Sequence, residues 1–404
     1  MRPASPRPLT TSAARRIWLR AQRLDQTEPF GNGAEAVARA VAHLGYVQID
    51  TIHVIERCHH HILWTRIPHY RRTDLHRAQS TDRCVFEYWT HALAYVPATD
   101  FRYFLPDMKR FRATPRGSLA KVEPAEVRRV LAMIRKEGGL TIRDFEDEVL
   151  IEKEHLWASR KPSKRALQYA FYAGLLTISR RNGMVKTYEL TDRHFGWDKR
   201  PLPASEAQVT AYVLDRALRS QGVVSLDSAC HLDAPRKPAL RKLIEARVQR
   251  GQLVPVILPG AGNIGHWAAP EVLDEVPDEG DAVHILSPFD PLVIQRRRLR
   301  LLFGYEHRFE AYVPPGKRVF GYFALPVLAG EEIVAAIDIK ADRSQRRLLI
   351  QRWTWVGRGS SAGHKARIEA ELDRFAAFQF DPTASTEDAQ QEAAAPEPCA
   401  TDRA

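Results

Sequence analysis

Apolar positions recur at helical spacing over much of the chain, and turn residues cut the pattern into short elements. Residues 11–24 place Ile17, Trp18, Ala21 and Leu24 on one side, behind Thr11 or Ser12 as a cap. Residues 34–44 form a second helical stretch that stops at Gly45. Tyr46-Val47-Gln48-Ile49-Asp50 alternates and reads as extended, and residues 51–66 return to helical spacing with Ile55, Cys58 and Ile62 on one stripe. Pro68 ends that helix.

One order of elements then occurs twice. Residues 123–137 predict a helix stopped by Gly138-Gly139, Thr141 caps a short helix, and a third helix runs from Pro162 or Ser163 to Gly174. Strands over 175–180 and 185–190 flank Asn182-Gly183, a strong hairpin signal. Helices over 205–220, 225–230 and 238–250 again precede two strands, 253–258 and 264–268. Three helices and a hairpin is the winged-helix order, and with the N-terminal helices it predicts three tandem winged helices. Beyond Ala282 the period falls to two over 309–313, 318–325, 331–340 and 347–356, which predicts a small antiparallel β-barrel closed by a helix over 366–380. The expected fold class is α+β. Its parts are a flexible N-terminus at 1–10, a winged-helix-like domain at 11–118, winged helices at 119–200 and 201–280, a β-barrel domain at 281–380 and a disordered acidic tail at 381–404.

Composition narrows the class. Of 404 residues 44% are hydrophobic and 27% charged, which excludes collagen-like, coiled-coil and wholly disordered chains. No run approaches the roughly 18 apolar residues of a membrane helix, and the Pro- and Arg-rich start has no apolar signal core, so a cytoplasmic protein without membrane contact is expected. Four scattered cysteines, Cys58, Cys84, Cys230 and Cys399, make no disulfide framework. Net charge is +11, and the segment from Asp381 holds six acids against one base, which leaves +16 on the rest. A body so basic favours a polyanionic partner.

Candidate chemistry follows. The third helix of a winged helix ordinarily enters the major groove, which singles out Lys164 and Arg165 in one repeat and Arg241 in the other. Arg296, Arg297 and Arg298 form a further basic cluster suited to phosphate. His59, His60 and His61 are consecutive, so on a helix they point about 100° apart. With no cysteine or carboxylate at ligand spacing, no metal is expected, and these rings either face phosphate or pack under the helix. Gly260-Ala261-Gly262-Asn263-Ile264-Gly265 lies between two strands and reads as a wing tip, not a dinucleotide loop. Gln48 and Asp50 share one face of an extended stretch. Asp50 there either caps the following helix or, with the Gln48 amide, holds and activates a water.

Several motifs in one order resemble the YcaQ/AlkZ DNA glycosylases. They are residues 44–52 around Gln48-Ile49-Asp50, 56–66 through Arg66, Ser287-Pro288-Phe289-Asp290-Pro291-Leu292 with the arginines after it, 317–326 beginning Lys317-Arg318, and 338–343. The likeness runs from about residue 11 to 380. It implies a monofunctional glycosylase that needs no cofactor, excises N7-alkylated purines and unhooks interstrand crosslinks, with Gln48 and Asp50 catalytic in the Gln-hydrophobic-Asp form of the YcaQ branch. DNA contacts are expected from His59, His60, Arg66, Lys317 and Arg318 besides the basic residues above. A monomer acting on double-stranded DNA at the nucleoid is expected; the alternative is a non-enzymatic winged-helix regulator.

Overall fold

The computed structural model describes residues 5–145, 161–357 and 362–381. Arg160, before the basic helix of the second repeat, and the acidic tail from 382 lie outside the described residues. In chain order the elements are β1 (Arg7–Pro8), α1 (Thr11–Ala21), α2 (Gly33–Leu44), β2 (Val47–Gln48), α3 (Cys58–Trp64), α4 (Arg72–Ser80), β3 (Val85–Trp89), β4 (Leu93–Pro97), α5 (Phe101–Ala113), α6 (Pro124–Glu137), α7 (Pro162–Tyr172), β5 (Leu176–Asn182), β6 (Val185–Leu190) and α8 (Thr191–Phe195). They continue with α9 (Glu206–Gln221), β7 (Val223–Ser225), α10 (Leu226–Ala229), α11 (Lys237–Gln249), β8 (Val254–Ile257), β9 (His266–Ala268), α12 (Pro270–Asp274), β10 (Val283–Ile285), α13 (Pro291–Ile294), α14 (Arg296–Phe303), β11 (Ala324–Ala329), β12 (Glu332–Asp342), β13 (Arg347–Trp355) and α15 (Ala362–Gln379). The fold is mixed α+β, and no described helix is long and apolar enough to cross a membrane.

Local signals set most boundaries. Thr10 Oγ1 accepts the Ala13 N–H at 3.1 Å and opens α1, while Ser205 and Gln208 form a reciprocal capping box on α9. β5 and β6 pair antiparallel across Asn182-Gly183, with Gly183 at φ +55.

Contacts divide the described chain into two compact units. One comprises the residues up to Tyr70, Tyr88–Pro97 and Ala204–Phe380; the other comprises Arg71–Glu87 and Ala98–Pro203. This division cuts across the sequence-based boundaries at 118 and 280. Turn residues mark where the chain bends, not which core it enters. In the first unit a single core draws Leu9, Ile17 and Trp18 from the N-terminal segment, Val223 and Val254 from the third repeat, and Leu286, Leu292 and Leu328 from the C-terminal part.

Two further expectations are corrected. Within the N-terminal stretch expected to be flexible, Arg7 and Pro8 pair in parallel with Val256 and Ile257, and Leu9 is buried. β1 is the edge of the sheet β1-β8-β9-β7, where proline is tolerated because the outer side needs no N–H. The C-terminal sheet is the open antiparallel order β10-β11-β12-β13, with no closed barrel among the described residues. Residues 309–313 form no strand, and 318–325 yield only the start of β11. Side-chain acceptors have taken the backbone donors a ladder would use. The Glu310 carboxylate receives the N–H groups of Val319, Phe320 and Gly321 at 2.8, 2.7 and 3.2 Å, and Asp338 receives those of Tyr322 and Phe323 at 2.8 and 3.0 Å. Gly321 is at φ +133, and a Cβ there would lie 2.2 Å from Asp338 Oδ2.

Candidate active site

The Gln48-Ile49-Asp50 segment is built from its flanks. Gly45 turns the chain out of α2 at φ +80, and the Arg216 side chain of α9 fills the space a Cβ would need, its Cδ 2.3 Å from that position. β2 then pairs Val47 with Tyr95 and Gln48 with Ala94 of β4, and Ile49 N–H donates to Leu93 O at 2.8 Å. The chain leaves the strand at Asp50.

The helix predicted from residue 51 does not begin until Cys58. Its first turn is lost to other partners. Ile52 N–H donates to Asp50 Oδ1 at 2.8 Å, closing an Asx turn. Ala341 N–H donates to Val54 O at 3.1 Å, and Arg343 Nη2 to Ile55 O at 2.7 Å. Asp50 is therefore not the N-cap of a helix starting at Thr51. Its Oδ2 has no hydrogen-bond partner among the described residues, and the side chain is half-buried.

Gln48 is buried, and its Oε1 lies 3.0 Å from His91 Nε2. The Cys58 thiol, at the first turn of α3, donates to Gln48 O at 3.0 Å. Burial first, and then the Asp50 carboxylate, push that thiol well above its usual pKa, so it stays a protonated donor. The His91 ring stands edge-on to Tyr46 at 4.9 Å and to His231 at 5.1 Å, and the Arg216 guanidinium lies 5.9 Å over the Tyr46 ring. Sequence reasoning missed Cys58, His91, His231 and Arg216 as neighbours of the motif. His91 is 43 residues from Gln48, and no local pattern joins them.

The basic candidates divide by burial. Arg66 and Asp290 have side chains with no exposed surface and form a bidentate pair at 2.7 and 3.0 Å, while Arg66 Nε donates to Gln22 O at 2.9 Å. Arg298 is buried and donates to Val223 O at 2.6 Å and Gln221 O at 3.0 Å. Arg165 is buried and donates to Ser118 O, and the His59 ring is buried 5.7 Å from Tyr95. These four are withdrawn as DNA contacts, because their donors or rings face protein. His60 Nδ1 is 2.6 Å from the Tyr70 hydroxyl, Arg296 donates to His307 O, and Arg318 donates to Val313 O. Lys164, Arg241, Arg297 and Lys317 are exposed. His61 Nε2–H donates to Ile285 O at 2.8 Å and its ring stacks on Phe375 at 4.6 Å; burial pushes its pKa down to about 4. The His59 and His60 rings also meet each other at 4.3 Å, and no group of three or more side chains able to hold a metal occurs among the described residues.

The arrangement offers a carboxylate and an amide with spare hydrogen-bonding capacity at the end of one short strand. Such a pair can hold one water and take its proton. The family model described as DNA glycosylase AlkZ-like matches residues 41–378. The fold is similar to that of Streptomyces sahachiroi DNA glycosylase AlkZ, with a TM-score of 0.61 at 17% identity over 92% of this chain and 97% of that one.

Proposed function

The chain belongs to the AlkZ-like DNA glycosylase family and is a DNA-repair glycosylase, and on that footing we propose that it excises N7-alkylated purines and unhooks interstrand crosslinks by direct hydrolysis. The non-enzymatic regulator reading is not favoured by this membership. We read α6–β6 and α9–β9 as winged helices that carry a monomer along duplex DNA, with Lys164, Arg241, Arg297 and Lys317 as the phosphate contacts.

Alkylation at N7 gives the purine a formal positive charge. When the N-glycosidic bond breaks, its electron pair goes to N9 and the base departs neutral, so no strong general acid is needed. The sugar left behind is oxocarbenium-like. The Asp50 carboxylate stabilises that cation and takes the proton of the water that adds to C1′, and the Gln48 amide holds that water. No amine of the protein bonds to the sugar, so the product is an abasic site without strand cleavage. The observation that carries this reading is that Asp50 does not cap the next helix, which starts eight residues later at Cys58, and keeps Oδ2 uncommitted.

Asp50→Asn tests it. Asparagine closes the same Asx turn but lacks the charge. Single-turnover excision of N7-methylguanine from duplex DNA should fall roughly 10²–10⁴-fold while binding and folding hold. A wild-type rate would assign Asp50 to the turn alone.

A further inference from the structure

The polar group on Gln48 is matched from a distant part of the chain. His91 sits in the turn before β4, whose pairing with β2 brings it to the motif. Its Nε2 is 3.0 Å from Gln48 Oε1, and the ring is fixed on two sides by Tyr46 and His231. Burial, and then the nearby His231 and Arg216, push its pKa down to about 3, so the ring is neutral at physiological pH. A neutral imidazole facing an amide oxygen must carry its proton on Nε2. The Gln48 NH2 end has no hydrogen-bond partner among the described residues.

We propose that His91 is a positioning residue for excision: it donates from Nε2 to the Gln48 amide oxygen and so turns the amide NH2 toward the attacking water. This rests on the reading of Gln48 as the residue that holds that water. An amide free to flip exchanges its donor and acceptor ends, and a water held by it has no set orientation. With the oxygen engaged by His91, the NH2 end meets the water. One water lone pair accepts that bond, one proton points to Asp50, and one lone pair remains for C1′. Orientation of this kind is a large part of what a preorganised site contributes, and misplacement by about 1 Å costs up to roughly a hundredfold.

The test uses full-length protein, single-turnover excision of N7-methylguanine, and duplex affinity by fluorescence anisotropy. His91→Phe keeps a ring against Tyr46 and His231 but has no donor, and should slow excision roughly tenfold to a hundredfold at unchanged affinity. His91→Gln carries an amide N–H at similar reach and should recover most of the rate. The double variant His91→Phe/Gln48→Ala should be no slower than Gln48→Ala, because His91 acts through Gln48. A wild-type rate in His91→Phe, a His91→Gln variant as slow as His91→Phe, or a double variant slowed by both factors would each overturn the proposal. Should His91→Phe unfold, two-bond ¹H–¹⁵N correlation on the wild-type protein at pH 7 decides the matter: an Nε2-protonated ring supports it and an Nδ1-protonated ring overturns it. If Gln48→Ala alone excises at the wild-type rate, the catalytic reading of Gln48 has failed, whereas the tautomer still reports on the hydrogen bond.

Discussion

The second and third repeats share an order of elements, and each buries an arginine, but they neutralise it in different ways. In the second, Arg181 of β5 meets the Glu87 carboxylate through two bonds of 2.5 and 2.7 Å, and Gln79 donates to the same carboxylate at 3.1 Å. In the third, Arg298 arrives from α14, outside the repeat, and donates to Gln221 O, Val223 O and Gln221 Oε1, with its guanidinium 4.2 Å from the Trp18 ring centre. Burial pushes the Arg298 pKa down, yet the group stays cationic at neutral pH. The hairpin of the second repeat stays a two-stranded sheet, and the partners of its arginine come from β3 and α4, ahead of the repeat. The third repeat is completed by Arg298, Trp18 and β1 and is part of a larger core. From that repeat Arg216 reaches the Tyr46 ring and His231 the His91 ring. Two stretches with one local pattern are therefore completed in different ways: one takes a carboxylate from β3, and the other is built into the large core.

The largest expected effect tests the arginines. Glu87→Gln removes the acid and leaves a buried cation, which should cost about 3–5 kcal/mol by denaturant unfolding. Arg298→Met removes the cation and leaves only carbonyl oxygens unsatisfied, so about 1–3 kcal/mol is expected. The reverse order would break the comparison. An acid titration sharpens it. Burial pushes the Glu87 pKa up, but the Arg181 guanidinium outweighs this and holds it below its ordinary value. With the folded pKa below the unfolded one, the stabilisation is present above the ordinary carboxylate range and is lost as pH falls through the folded value. Glu87→Gln should flatten that acid limb, and Arg298→Met should leave it in place.

A smaller effect is expected at two left-handed glycines. Gly222 ends α9 at φ +67, where a Cβ would lie 2.4 Å from Ile17 Cγ2; Gly174 follows α7 at φ +68, where it would lie 2.4 Å from Met108 Sδ. Both alanine variants carry the left-handed penalty of about 1–2 kcal/mol. Ile17 is β-branched and locked in the large core, so Gly222→Ala should cost about 1–3 kcal/mol more. Met108 adapts, so Gly174→Ala should stay near the backbone penalty. Equal melting shifts would show that the third repeat is packed no more tightly than the second.

The smallest effect concerns DNA. Lys164 on α7 and Arg241 on α11 are both exposed. Lys164→Glu and Arg241→Glu should each reduce the log–log salt slope of duplex binding by about 0.9, the value of one phosphate contact. A slope unchanged in either variant removes that repeat's helix from the DNA-contacting surface.

Much of this was legible in sequence where the deciding partners are a few residues apart. The helix over 205–220, the Asn182-Gly183 turn and the stop at Gly45 each rest on backbone groups settled locally. The helical spacing across 51–66 misled, because the Asp50 carboxylate, Ala341 of β12 and Arg343 just after it took backbone groups of 52–55. The alternation over 309–313 and 318–325 misled for the same reason, through Glu310 and Asp338.

By itself the sequence determined the charge of the body, the repeated helix–hairpin order and the motif Gln48-Ile49-Asp50, because charge, caps, turns and adjacency are properties of neighbours in the chain. Only the tertiary structure decided which arginines face inward and which polar group meets Gln48. Arg66 and Arg297 look alike in a basic sequence, but Arg66 is buried on Asp290, 224 residues away, and Arg297 is exposed. A guanidinium can lie in the core only where a carboxylate or a set of carbonyls replaces its water, and those partners come from elements that folding alone brings together.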